Sequence, residues 1–152
     1  MKYKYLNQFS TTWGKDISLL ILRLFVAYEF IEAGLEKWGG ENWFAHIQEA
    51  FPIPFNWFPV ELNWQIAMWA EIIVPVLLVI GLFGRIGSLI LFVLTLVAWY
   101  AVHSGNGYNV CHNGYKMAVI YLITLIPLAM QGMGRFSLDY LICSRCSIKT
   151  TN

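Results

Sequence analysis

Apolar residues gather into four stretches, Ile17 to Trp38, Asn63 to Phe83, Ile86 to Val102 and Tyr115 to Met130, with Gly- and Pro-rich polar segments between them. The first is 22 residues long, and a helix needs about 20 residues at roughly 1.5 Å each to cross the hydrocarbon core of a bilayer. The pattern predicts an all-α, polytopic membrane protein, a four-transmembrane-helix bundle forming a single domain over residues 1–152. Within the first outer loop Trp43, Phe44, Ile47, Ala50 and Phe51 recur at helical spacing opposite Glu41, Gln48 and Glu49, which predicts a short interfacial helix. Pro52, Pro54 and Pro59, interleaved with Phe55, Trp57 and Phe58, then forbid regular helix. That crossing reads as an aromatic belt at the membrane surface, with a lid over the bundle mouth as the alternative. Pro75 predicts a kink in the second stretch, and Gly81 to Gly87 a tight turn after it. Gly132 and Gly134 end the fourth stretch, and Ser137 is placed to cap a brief interfacial helix behind them.

Composition strengthens the membrane reading. The chain is 58% hydrophobic and 12% charged, with mean hydropathy +0.56, and a soluble domain of 152 residues would expose too much apolar surface. Before the first span, Lys2, Tyr3, Lys4, Tyr5, Phe9, Trp13 and Lys15 mix cations with aromatics, as suits a headgroup anchor. The apolar run behind them exceeds a typical signal-peptide core and lacks a clear small-x-small cleavage site, so it reads as a retained span. Net charge +1 supplies no basic stripe for a nucleic-acid partner. Lys2, Lys4, Lys15, Arg85, Arg135, Arg145 and Lys149 fall on one side of a four-span topology, against Lys37 and Lys116 near the span ends on the other. The positive-inside rule therefore places both termini in the cytoplasm and both long loops outside.

The first span carries Arg23, Glu29, Glu32, Glu36 and Lys37, and ionisable groups at such depth cost roughly 3 kcal/mol each unless they face a bundle interior or a wet cavity. Glu29, Glu32 and Glu36 fall on one helical face. Glu29 and Glu71 are each expected roughly 12 Å below the outer surface. Two facing carboxylates there share a proton or keep a cation nearby, and Arg23 is the cation expected to reach them. The candidate catalytic residues are thus Glu29, Glu71 and Arg23, in a polar pocket opening outward past Glu32 and Glu36. Lys37, Glu32 and Glu36 are the candidate cofactor-binding residues. The bland alternative is an ion-pair network that fixes helix register. At the far interface His103, Cys111 and His112 offer a candidate copper or zinc set, although without a standard spacing. Three cysteines do not make a disulfide scaffold, and Cys143-x-x-Cys146 lies on the expected cytoplasmic tail without a second pair. The chain has no P-loop, dinucleotide fingerprint or G-x-S-x-G elbow.

Leu22-Arg23-Leu24 through Glu32-Ala33-Gly34-Leu35-Glu36-Lys37-Trp38 resembles the first span of the DoxX family, and Glu71 followed by Gly81-Leu82-Phe83-Gly84-Arg85 is similar to its second span and turn. The resemblance covers about Ile17 to Met130, and the positions it carries over are Arg23, Gly34, Lys37 and Glu71. Asn113-Gly114-Tyr115-Lys116 and Gly134-Arg135-Phe136-Ser137-Leu138-Asp139 resemble a narrower branch, encoded beside copper-binding, ribosomally made modified peptides. That resemblance implies a bacterial inner-membrane accessory protein in the maturation or export of such a peptide, or in copper handling, with a modified peptide or protein as partner. The broad family also includes a small membrane subunit associated with thiosulfate:quinone oxidoreduction, which implies quinone contact as the rival role. A structural membrane partner without chemistry is the third. No soluble catalytic domain accompanies the spans, so enzymatic activity would need a partner.

Overall fold

The structure, a computed structural model, describes residues 2–149, with side chains from residue 13 to residue 144. It is helical throughout the described residues, with no strand among them. The α-helices are α1 Lys2–Gly39, α2 Val60–Ile80, α3 Gly84–Ala98, α4 Lys116–Gln131 and α5 Leu138–Lys149. A π-helical turn, Trp99–His103, prolongs α3. Helices α2 and α3 with its π turn are long and apolar enough to cross a membrane. Helix α4 is apolar but only 16 residues long, about 24 Å.

Helix α1 packs on α2 and α4, and α3 packs on α4 and α2, so the four stretches read from the sequence do form one bundle. Its core is Leu19, Val26, Phe30, Val74, Leu78, Leu91, Leu125, Leu128 and Met133. Ser88 and Thr95, buried on α3, return their hydroxyls to the carbonyls of Gly84 and Leu91, which removes the cost of leaving a donor unpaired in an apolar core.

The first stretch differs from its expected outline. Helix α1 begins at Lys2 and runs 38 residues without a break at Asn7 to Thr12. The anchor residues Lys2, Tyr3, Lys4, Tyr5 and Phe9 have side chains outside the described set. The interfacial helix expected at Glu41 to Phe51 is instead two 3-10 turns, Trp43–His46 and Gln48–Ala50. Asn42 Oδ1 accepts the Phe44 amide at 3.1 Å and starts the first, while Ile47, at φ −125° and ψ 11°, separates it from the second. Pro52 holds Phe51 extended, at φ −67° and ψ 138°. Burial of Phe44 and Phe51 against Trp64 decides the path of this segment.

Helix α2 ends in a Schellman turn. Gly81, at φ 74°, donates to the Leu77 and Leu78 carbonyls, and the Leu82 amide also reaches Leu77. Asp139, from the far end of the chain, caps α3: its Oδ1 accepts the Phe83 amide at 3.0 Å and its Oδ2 the Gly84 amide at 3.1 Å. Ser137 caps α5 as the sequence predicts, its Oγ accepting the Tyr140 amide at 3.2 Å.

Candidate ligand cavity and its buried ion pair

A cavity of about 630 Å³ opens among α1, α2, α3 and α4 toward the loop end of the bundle. The proline-rich crossing forms its roof. Asn63 Nδ2 donates to the Phe55 carbonyl at 2.7 Å, and Gln48 Nε2 donates to the Phe58 and Asn56 carbonyls at 2.8 and 3.2 Å. These bonds turn Phe55 of the crossing inward to line the cavity with Trp43, Phe44 and Phe51, while Trp57 and Phe58 stay exposed, as a surface belt requires. Down the opposite wall the lining includes Leu89, Ile90 and Val93, which are exposed on the outer face of α3. The cavity is therefore accessible from the side as well as from the loops.

Two polar pairs interrupt the apolar lining. Lys37 Nζ lies 2.6 Å from Glu71 Oε2, with side chains only 14% and 6% exposed, and it also reaches the Ala33 carbonyl at 3.4 Å. Gly34 makes this pair possible. A Cβ there would lie 2.8 Å from Ile72 Cγ1 and 3.0 Å from the Glu71 carbonyl carbon, so only glycine lets α1 approach α2 closely enough for Lys37, one turn on, to meet Glu71. Across the cavity Tyr121 OH donates to Glu29 Oε2 at 2.5 Å, and the Tyr121 ring stands 5.5 Å from that of Phe30.

The expected polar centre is thus rearranged. Glu29 and Glu71 line the same cavity, as their depths suggest, but each has its own partner. Arg23 is not the cation that joins them. It is fully buried near the middle of α1, where its Nη2 donates to the Phe136 carbonyl at 2.7 Å. The cation at Glu71 is Lys37, because α1 and α2 touch at Gly34 and Arg23 lies nearly four turns below Lys37. Of the cofactor-binding candidates Lys37 lines the cavity, whereas Glu32 and Glu36 are exposed outside it.

His103, at the end of the π turn, also lines the cavity. Its Nδ1 lies 2.7 Å from the Asn113 carbonyl; a carbonyl can only accept, which assigns the proton to Nδ1 and leaves the Nε2 lone pair free. Cys111 and His112 are exposed in the loop beyond. Among the described residues no group of three or more His, Cys, Asp or Glu converges as a metal set. Cys143 is exposed on α5, and the Cys146 side chain falls outside the described set. Tyr121 was not among the sequence candidates, and the aromatic roof stood there only as the alternative to a surface belt. The available signal was Tyr121 itself, a hydroxyl-bearing ring in the middle of an apolar span.

Two helices fit to cross a bilayer, packed with two more around an apolar cavity that holds two polar pairs, define a helical membrane protein. The chain belongs to the DoxX family, whose sequence pattern matches residues 18–104, from the middle of α1 to just past the π turn. An uncharacterized protein of Haemophilus influenzae is 55% identical over 129 residues, covering 85% of each chain. A second uncharacterized protein of that organism is 30% identical over 127 residues, covering 80% of this chain and 87% of its own. No solved structure matches the chain.

Proposed function

We propose that this chain is a four-span inner-membrane subunit whose cavity binds a quinone, serving an oxidoreductase partner that supplies or takes the electrons. The observation that carries this reading is a cavity of about 630 Å³ with a mostly aliphatic lining, aromatic rings at its roof and two polar pairs, Lys37–Glu71 and Tyr121–Glu29. A small-molecule site of roughly 300–1,000 Å³, apolar except for a few placed polar groups, suits a ring compound with an apolar tail. The exposed α3 wall offers entry from the hydrocarbon. Lys37 Nζ and Tyr121 OH are donors suited to ring carbonyl oxygens, and Phe30, Phe44 and Phe51 can flank the ring. Reduction of a quinone to its quinol takes up two electrons and two protons. Glu29, hydrogen-bonded to Tyr121 at the cavity wall, is the group placed to pass a proton, while Lys37 holds Glu71 in position. Extraction of protein purified in mild detergent should yield about one quinone per chain, reduced several-fold by Tyr121→Phe and by Glu29→Gln. Parent protein free of quinone, and unable to bind added quinone, would end the proposal.

The copper-peptide reading is favoured by one observation. The backbone carbonyl that fixes the His103 tautomer is the type of outer-shell partner that orients a ligating imidazole. In this reading His103, with Cys111 or His112, holds copper at the outer loop during maturation of the peptide. Bound copper after removal of loose metal, lost in His103→Ala and His112→Ala, supports it, and no retained copper in the parent counts against it.

A further inference from the structure

At the opposite end of the bundle from the mouth of the cavity, a groove of about 890 Å³ lies where α1, the α2–α3 turn and the start of α5 meet. Lys15, Asp16, Arg85, Arg135, Ser137 and Asp139 line it. Its two carboxylates are already engaged. Asp16 Oδ1 accepts the Arg135 amide at 3.1 Å and its Oδ2 lies 3.4 Å from Arg135 Nε, while Asp139 accepts the Phe83 and Gly84 amides. Among the described residues no carboxylate pairs with Lys15 or Arg85, and the undescribed stretches of the sequence contain no Asp or Glu. Arg85 lies across Gly132, its Nε 3.2 Å from where a Cβ would stand, so its guanidinium is laid against the groove floor.

A second observation points the same way. Behind Ser137, Arg23 is 0% exposed, and its Nε and Nη1 find no acceptor among the described residues. A buried guanidinium satisfied only by the Phe136 carbonyl leaves uncompensated positive charge just beneath the groove wall. The groove's outer rim is apolar: Phe83 and Ile86 are 61% and 59% exposed beside Arg85.

We infer that this groove binds the phosphate headgroup of an anionic phospholipid, with Lys15 and Arg85 on the phosphate and an acyl chain along Phe83 and Ile86. Cation excess in a basic pocket at one end of a helix bundle, with apolar groups immediately alongside, is the chemistry that selects an anionic amphiphile over a zwitterionic one. The cationic part of the groove lies away from the Lys37–Glu71 pair, although Ile86 lines both groove and cavity, and the lipid assignment does not depend on that cavity taking quinone.

Native mass spectrometry and thermal unfolding of the full chain in mild detergent test it with three probes: phosphatidylglycerol, phosphatidylcholine and inorganic phosphate. Phosphatidylglycerol is expected to remain bound and to raise the unfolding temperature, and the other two are not. Each basic side chain near an anionic surface contributes about fivefold, so Lys15→Gln with Arg85→Gln should weaken phosphatidylglycerol about thirtyfold. Lys116→Gln, at the other end of the bundle, should change nothing. If the double variant fails to fold, Arg85→Lys provides the test, with an expected several-fold loss as the fork is replaced by a point charge. Equal retention of phosphatidylcholine, or phosphatidylglycerol binding unaltered in the folded variants, would overturn the site. Inorganic phosphate that displaces the lipid and gives the same protection would assign the groove to a soluble anion and overturn the lipid assignment.

Discussion

Lys37 and Glu71 are the residues on which the cavity depends. Both are nearly removed from solvent, so deleting one charge strands the other. Glu71→Gln is expected to lower stability by about 3 kcal/mol in detergent unfolding, and Lys37→Met in the same chain to recover part of that loss. Tyr121→Phe removes only one hydrogen bond and should cost about 1 kcal/mol, so a larger loss of ligand retention in that variant separates binding from folding. Both members of the ion pair were legible in the sequence, because charged residues inside apolar stretches stand out. Their partnership was not. Sequence depth put Glu71 level with Glu29 and pointed to Arg23 as the nearby cation, whereas the close approach at Gly34 selected Lys37.

At the scale of elements, helix packing rests on two close joints. Gly34→Val would push its side chain into the Glu71 backbone and should destabilise the bundle by about 3 kcal/mol, with loss of the ion pair, measured by unfolding and by ligand retention. At the other joint Asp139 caps α3 across 55 residues of chain. Asp139→Ala should cost about 1–2 kcal/mol and loosen both α3 and α5, visible as faster amide exchange at Phe83 and Gly84. The helices themselves were legible from apolar runs and glycine stops. The segment between Glu41 and Phe58 was not, since its path is set by burial of Phe44 and Phe51 against Trp64 and by the bonds of Asn63 and Gln48 to the crossing's carbonyls.

For the molecule as a whole, Cys111 and Cys143 are natural reporters of topology, both exposed and at opposite ends of the bundle. With Cys146 replaced by Ser, a membrane-impermeant maleimide applied to spheroplasts should label Cys111 readily and Cys143 only after permeabilisation. Labelling of both from one side would contradict an arrangement with the termini in the cytoplasm. The charge distribution behind this expectation also sets two different environments. Positive charge concentrates at the Arg85 end, around the groove, while the aromatic cavity opens at the loop end.

By itself the sequence determined helical class, the apolar stretches that become the bundle helices and the presence of buried charge, because these follow from hydropathy, periodicity and the cost of ions in an apolar helix. It also pointed to the DoxX family through the residues of the first two spans. Only the tertiary structure decided which charges meet, that the proline-rich crossing roofs a cavity, and that Arg23 serves the far end. Those outcomes depend on how closely two helices approach and on contacts between residues far apart in the chain, such as Tyr121 with Glu29 and Phe136 with Arg23. Spacing along one helix carries no information about either.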